Sequence, residues 1–108
     1  MSTAPKSETL NLAGLVSYQT GSVVSRQITK ADSGNVTLFA FDAGQELSEH
    51  TAPFDALVHV VEGEAEIIIS GKPFRLKAGE AIIMPADEPH AVKATKQFKM
   101  LLTMIRAA

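Results

Sequence analysis

The chain has no cysteine and no tryptophan, and only one tyrosine, Tyr18. Lack of cysteine excludes disulfides, thiolate metal ligands and a cysteine nucleophile, and it fits a reducing compartment. Charge of one sign is also missing as a block. Ten Lys and Arg stand against 12 Asp and Glu, scattered along the chain. Without a basic stripe to neutralise phosphates, nucleic acid is not an expected partner. No apolar run approaches the roughly 18 residues of a membrane helix. The stretch from Met1 to Glu8 is polar and carries no signal-peptide core. The expectation is a cytoplasmic protein with no membrane contact. Glycine-rich phosphate cradles and the serine nucleophile elbow are absent too, so no nucleotide cofactor is expected.

What remains is a chain of 108 residues, enough for one core. Residues 1–9 read as a flexible tail, and residues 10–108 as a single domain with an N-terminal arm over 10–20. That arm carries Leu10, Leu12, Leu15 and Val16. We read it as laid against the body or against a partner subunit. Short β-branched and aromatic segments follow at Ser22 to Thr29, Val36 to Asp42, Ala56 to Val61 and Ala65 to Ser70. More lie at Pro73 to Leu76, Ala81 to Met84, His90 to Lys93 and Gln97 to Ile105. Gly or Pro punctuates them throughout. Glu62-Gly63 reads as a turn, Gly44 to Pro53 as a loop, and Ser70-Gly71 as a tight hairpin. Eight or nine short antiparallel strands with no helical period indicate an all-β barrel or sandwich.

Two stretches share a layout. Gly44 to Gly63 runs from a glycine turn through His50 into the strand from Ala56, and Gly79 to His90 runs glycine, strand, Pro85, loop, histidine. Both resemble the motifs of the cupin superfamily. The first motif of that family opens on glycine, places two histidines one residue apart, adds a glutamate and closes on glycine. Gly44, His50 and Gly63 match it, whereas Ala52 and Ala56 stand where the second histidine and the glutamate would be. Gly79, Pro85 and His90 match the second motif, with Asp87 at a position that is usually glycine. The resemblance covers residues 44–90 and implies an RmlC-like double-stranded β-helix, that is, a jelly-roll barrel. It also implies a site at the barrel mouth. The usual family site binds a divalent metal through three histidines and one glutamate, and here two histidines remain. A fold reused by dioxygenases, isomerases, decarboxylases and storage proteins does not choose among them.

His50 and His90 therefore admit several readings. Two imidazoles suit a divalent metal such as Fe, Ni, Zn or Mn, completed by a carboxylate, water or substrate. Glu46, Glu49 and Asp55 are nearby acids, none at the matched position. The same histidines also suit acid–base chemistry or plain hydrogen bonding at the rim. Alternation from Ala56 turns Ala56, Val58 and Val60 inward and His59 outward, which makes His59 a third ligand only if a bulge reverses it. The expected pocket is His50 and His90 above Phe41, Phe54, Val58, Met84 and Met100, with Met104 a further candidate. The residues favour a small-molecule-binding module with a mostly apolar pocket over the alternative, a metal-dependent dioxygenase or isomerase. Apolar residues in both phases of Val36 to Phe41, Leu57 to Val61 and Leu101 to Ile105 predict a homodimer through outer sheet faces.

Overall fold

The computed structural model describes residues 3–106. Among the described residues, eight strands follow a short 3-10 turn at Leu12–Gly14. They are β1 (Val23–Ala31), β2 (Gly34–Phe41), β3 (Glu46–His50), β4 (Phe54–Ile69), β5 (Lys72–Lys77), β6 (Ala81–Met84), β7 (His90–Lys93) and β8 (Phe98–Arg106). All pairings are antiparallel. One layer runs β1-β2-β8-β4-β6 and the other β3-β7-β4-β5. The result is a jelly-roll barrel. Among the described residues no helix is long and apolar enough to cross a membrane.

Strand β4 belongs to both layers, and the way it does so corrects the sequence reading. Its first part, Phe54 to Gly63, pairs with β8 and β6, while Glu64 to Ile69 pairs with β5 and β7. The expected turn at Glu62-Gly63 is instead a bulge, with the β8 register slipping between Val60 and Glu62. Before it the buried residues are even-numbered (Ala56, Val58, Val60), and after it they are odd-numbered (Ala65, Ile67). The extra residue flips the side-chain phase, so both halves face the same interior. Gly63 has φ +77°, and a Cβ there would collide with the Gln97 carbonyl oxygen. Only glycine supplies both the left-handed backbone and the close approach.

A second correction concerns residues 46–50, read as loop. They form β3, an edge strand paired with β7. Four of its five residues are exposed and only Leu47 is half-buried, so the strand carries no apolar alternation. Elsewhere the turn chemistry holds. Ser70 (φ 48°) and Gly71 (φ 81°) make the two-residue β4–β5 connection, with positive φ at both positions as a type I′ turn requires.

Inside the barrel Phe41 stacks on Phe98 with ring centroids 4.6 Å apart, surrounded by Val58, Val60, Ile67 and Met100. A second apolar cluster lies on the outer face. Val16 of the arm covers Leu38 and Ala40 of β2, with Leu15, Tyr18, Val24, Val61 and Leu101 around them. The arm therefore lies on its own barrel. Lys99, almost fully buried, fastens it: its ammonium donates to the Ala13 carbonyl at 2.6 Å, sits 3.7 Å from the Glu62 carboxylate and lies over the Tyr18 ring. Tyr18 donates its hydroxyl to Glu62 at 2.5 Å. Burial, then that carboxylate, raises the phenol well above its ordinary range. Of the tail expected over 1–9, residues 1–2 lie outside the described residues. Ala4 is buried and donates its N–H to Ile28 of β1.

Candidate functional site

His50 and His90 are 40 residues apart but are direct partners across the β3–β7 ladder. An irregularity between Leu47 and His50 shifts the register of β3. It turns residues of opposite parity, Leu47 and His50, to one interior. The two Nε2 atoms lie 3.1 Å apart, and the rings meet edge to face at 74°. Each Nδ1 is occupied locally. His50 Nδ1 lies 2.8 Å from the Ser48 carbonyl, and His90 Nδ1 lies 3.1 Å from that of Glu88. A carbonyl only accepts, so both Nδ1 atoms carry hydrogen and both Nε2 lone pairs converge on one point. Such a pair is repulsive unless a proton or another cation lies between them. His90 is 3% exposed. Burial first, and the neighbouring His50 second, hold its pKa below the ordinary histidine value, against the opposing effect of the Glu88 carbonyl.

The loops behind the pair are tied together. Asp87 donates its N–H to the Ala52 carbonyl at 2.8 Å, and Asp55 accepts from the Ala86 N–H at 2.9 Å. Ser70 donates its N–H to Pro89, and its hydroxyl to Glu88. Asp87 itself has φ 65°. The position that is usually glycine in the resembling motif is thus a left-handed one, here filled by aspartate.

Beneath the imidazoles lies a cavity of about 40 Å³. Ala52, Ala56, Met84, Met100 and Met104 line it, with Leu47, Val92 and Leu102. His50, His90, Met84 and Met100 are thus brought together as the sequence suggests. Phe41 and Val58, expected in the pocket, are fully buried in the core rather than on the lining, Phe41 because it stacks on Phe98. Phe54 stands at the far end of β4 opposite Arg106, whose guanidinium covers its ring at 5.1 Å. It borders a separate open groove near the β1–β2 hairpin. His59 pairs with Ala81 and Leu101, in opposite phase to the buried Val58 and Val60, and does not reach the cavity. Leu47, Val92 and Leu102 were not expected. Leu47 carries no sequence signal because it is the one apolar residue of the exposed edge strand β3. Val92 and Leu102 look like any core residue in sequence.

A profile described as a cupin domain matches residues 37–106, from β2 to the end of β8 and including both histidines. The chain belongs to the cupin domain family. A conserved protein of unknown function from Streptococcus pyogenes is 33% identical, with a TM-score of 0.91 over 100% of this cupin and 97% of that chain. A cupin 2 conserved barrel domain protein from Leptotrichia buccalis is 43% identical, with a TM-score of 0.87, over 90% of this chain and 47% of its own. The polyketide synthase CurC of Streptomyces cyaneus is 36% identical over 61 residues, or 56% of this chain. This cupin spans 40% of that relative's length.

The divalent-metal site of three histidines and one glutamate implied by the family resemblance is not assembled by the residues present. Ala52 and Ala56 both line the cavity at the positions of the absent ligands, and neither has a donor atom. Among the described residues no three or more His, Cys, Asp or Glu side chains come together as a metal-binding group. Glu46 and Glu49 are exposed on β3, and Asp55 is spent on the Ala86 N–H. No carboxylate lines the cavity. A hard divalent ion, which selects oxygen donors, finds none.

Proposed function

We propose that this cupin is a small-ligand-binding domain whose site is the His50–His90 pair and the apolar cavity below it. The observation that carries the reading is the pair of Nε2 atoms 3.1 Å apart, brought from strands distant in sequence, above a lining of methionine, leucine and alanine side chains. A few fixed polar groups over an apolar floor orient a ligand by one end and hold it by the other. Size narrows the class. The cavity of about 40 Å³ is far below the roughly 300–1,000 Å³ of drug-sized sites. The ligand has few heavy atoms and presents a proton, a cationic centre or a hydrogen-bond donor to the imidazoles. Glu46, Glu49 and Asp55 point away from the alternative reading as a divalent-metal enzyme, because none of them lines the cavity.

Side-chain resonances of the two histidines provide the test. A panel of small ions and fragments of fewer than about ten heavy atoms is titrated into the protein, with His50→Ala and His90→Ala as controls. Saturable shifts at both imidazoles, lost in either variant, are expected. A panel that leaves both imidazoles unmoved, or that shifts them equally in the alanine variants, would overturn the reading.

A further inference from the structure

The donor atoms around this cavity change character relative to the family pattern, and they change together. The two positions where the resembling motif has a histidine and a glutamate are alanines, while three methionines line the same cavity. The chain holds four methionines, and the three among the described residues all line this cavity. Their placement is specific. Ala56 on β4, at the vacated glutamate position, has Met84 of β6 as its partner on one side and Met104 of β8 on the other. Residues directly opposite on a ladder share a face. The lost carboxylate is therefore flanked by two thioethers. Met100 sits further along β8, opposite Val60.

The imidazoles are prepared in the way metal-ligating histidines are. Each donates its Nδ1–H to a backbone carbonyl, which fixes the ring and directs Nε2 outward. With imidazole–metal bonds of about 2.0–2.1 Å, nitrogens 3.1 Å apart would subtend about 100° at a shared ion, close to tetrahedral. Oxygen donors are missing from the lining, whereas soft sulfur donors are abundant. Thioether and imidazole donors suit cuprous copper and zinc better than oxygen-seeking ions, and a lining with no anionic side chain favours the ion of lower charge.

We infer that the Nε2 atoms of His50 and His90, with the thioether sulfurs of Met84 and Met104, form a site for a soft monovalent metal ion, Cu(I). The inference rests on the cavity being the ligand site and names the ligand's class. The cavity of about 40 Å³ has room for a single ion, since roughly 10–15 Å³ on that measure already admits one water. The cation would sit where the two lone pairs converge. The methionines would add donors without adding charge, leaving a monovalent complex in an apolar wall.

Cu(I) is titrated anaerobically into the whole chain against bicinchoninate, with the methionine methyl groups ¹³C-labelled. One copper per chain is expected, and the Met84 and Met104 methyl signals should shift more than that of Met100. His50→Ala and His90→Ala should each lose competitive binding. A double Met84→Leu, Met104→Leu variant conserves volume and fold, and should bind Cu(I) at least ten-fold more weakly. Mn(II) and Fe(II) should not displace the copper. No uptake against the competitor, or an unchanged affinity in the double leucine variant, would overturn the cuprous assignment. Should copper fail while small fragments still shift both imidazoles, this inference alone falls. Should neither ligand move them, the ligand-site reading falls with it.

Discussion

Asp87 shows what one residue costs when its backbone conformation is set by the fold. Its φ of 65° lies in the left-handed region, and its N–H holds the loop before His90 to the Ala52 carbonyl. Aspartate tolerates that region better than most side chains, but glycine enters it without a Cβ penalty. Asp87→Gly keeps the N–H and should raise stability by about 0.5–1 kcal/mol, read as a higher urea midpoint at unchanged slope. A lower midpoint would mean that the aspartate side chain holds the loop in some way its backbone does not. Three residues on, His90 makes a prediction about pH. Its folded pKa is depressed below that of the unfolded chain, by burial and by His50. The native state then binds fewer protons than the unfolded one once pH drops below the ordinary histidine value of about 6.5. Metal-free protein should lose stability as pH falls through that window toward the folded pKa. The His90 ring signals should titrate below the ordinary value, and His50→Ala should move their midpoint upward. A midpoint at or above the ordinary value would show that a proton shared across the 3.1 Å contact outweighs burial.

At the scale of elements, the molecule turns on the bend in β4. Gly63 and Gly71 have similar positive φ, yet their surroundings differ. A Cβ on Gly71 meets nothing within 4 Å, whereas one on Gly63 runs into the backbone of Gln97 and Phe98. Gly71→Ala should therefore cost only the left-handed penalty of about 1–2 kcal/mol. Gly63→Ala must also push apart the β4–β8 ladder at the corner joining the two layers, and should cost more than Gly71→Ala in denaturant unfolding. Equal losses would mean that the corner yields freely. The same bend marks the limit of what the sequence discloses. Alternation revealed each half of β4, because Ala56, Val58 and Val60 are inward in one phase and Ala65 and Ile67 in the other. A Glu-Gly pair between two apolar runs is compatible with a hairpin or a bulge, and only the partner strands decide. Strand β3 was invisible for a different reason: an edge strand with one apolar residue has no period to detect. The resemblance of the glycine, proline and histidine motifs to those of cupins implies that His50 and His90 lie near one mouth. Their cross-strand pairing, and the two methionines flanking Ala56, depend on register between distant strands, which local pattern does not encode.

At the scale of the whole molecule, the outer face of the larger layer is half covered. The arm buries Leu38 and Ala40, held by the Lys99 ammonium on the Ala13 carbonyl. Beyond its reach Leu57, Ile83 and Ile105 are 39%, 62% and 60% exposed. They are contiguous: Leu57 pairs with Ile83 across β6 and with Thr103 across β8, two residues before Ile105. The groove between them is almost wholly apolar. We propose a second copy of the chain as its cover. The patch is a sheet face framed by the short edge strand β6, and a twofold pairing would set the same three side chains against themselves. Such an interface removes apolar surface that monomers rarely leave contiguous. Sedimentation at micromolar concentration should give a species of twice the 11.5 kDa chain mass. Ile83→Lys should reduce it to the monomer, because the exposed position accepts lysine in the free chain but a twofold contact would bring two ammonium groups together. Circular dichroism of that variant should be unchanged, which separates loss of association from loss of fold. A wild-type chain that sediments only as 11.5 kDa would leave the patch to some other partner and remove the dimer.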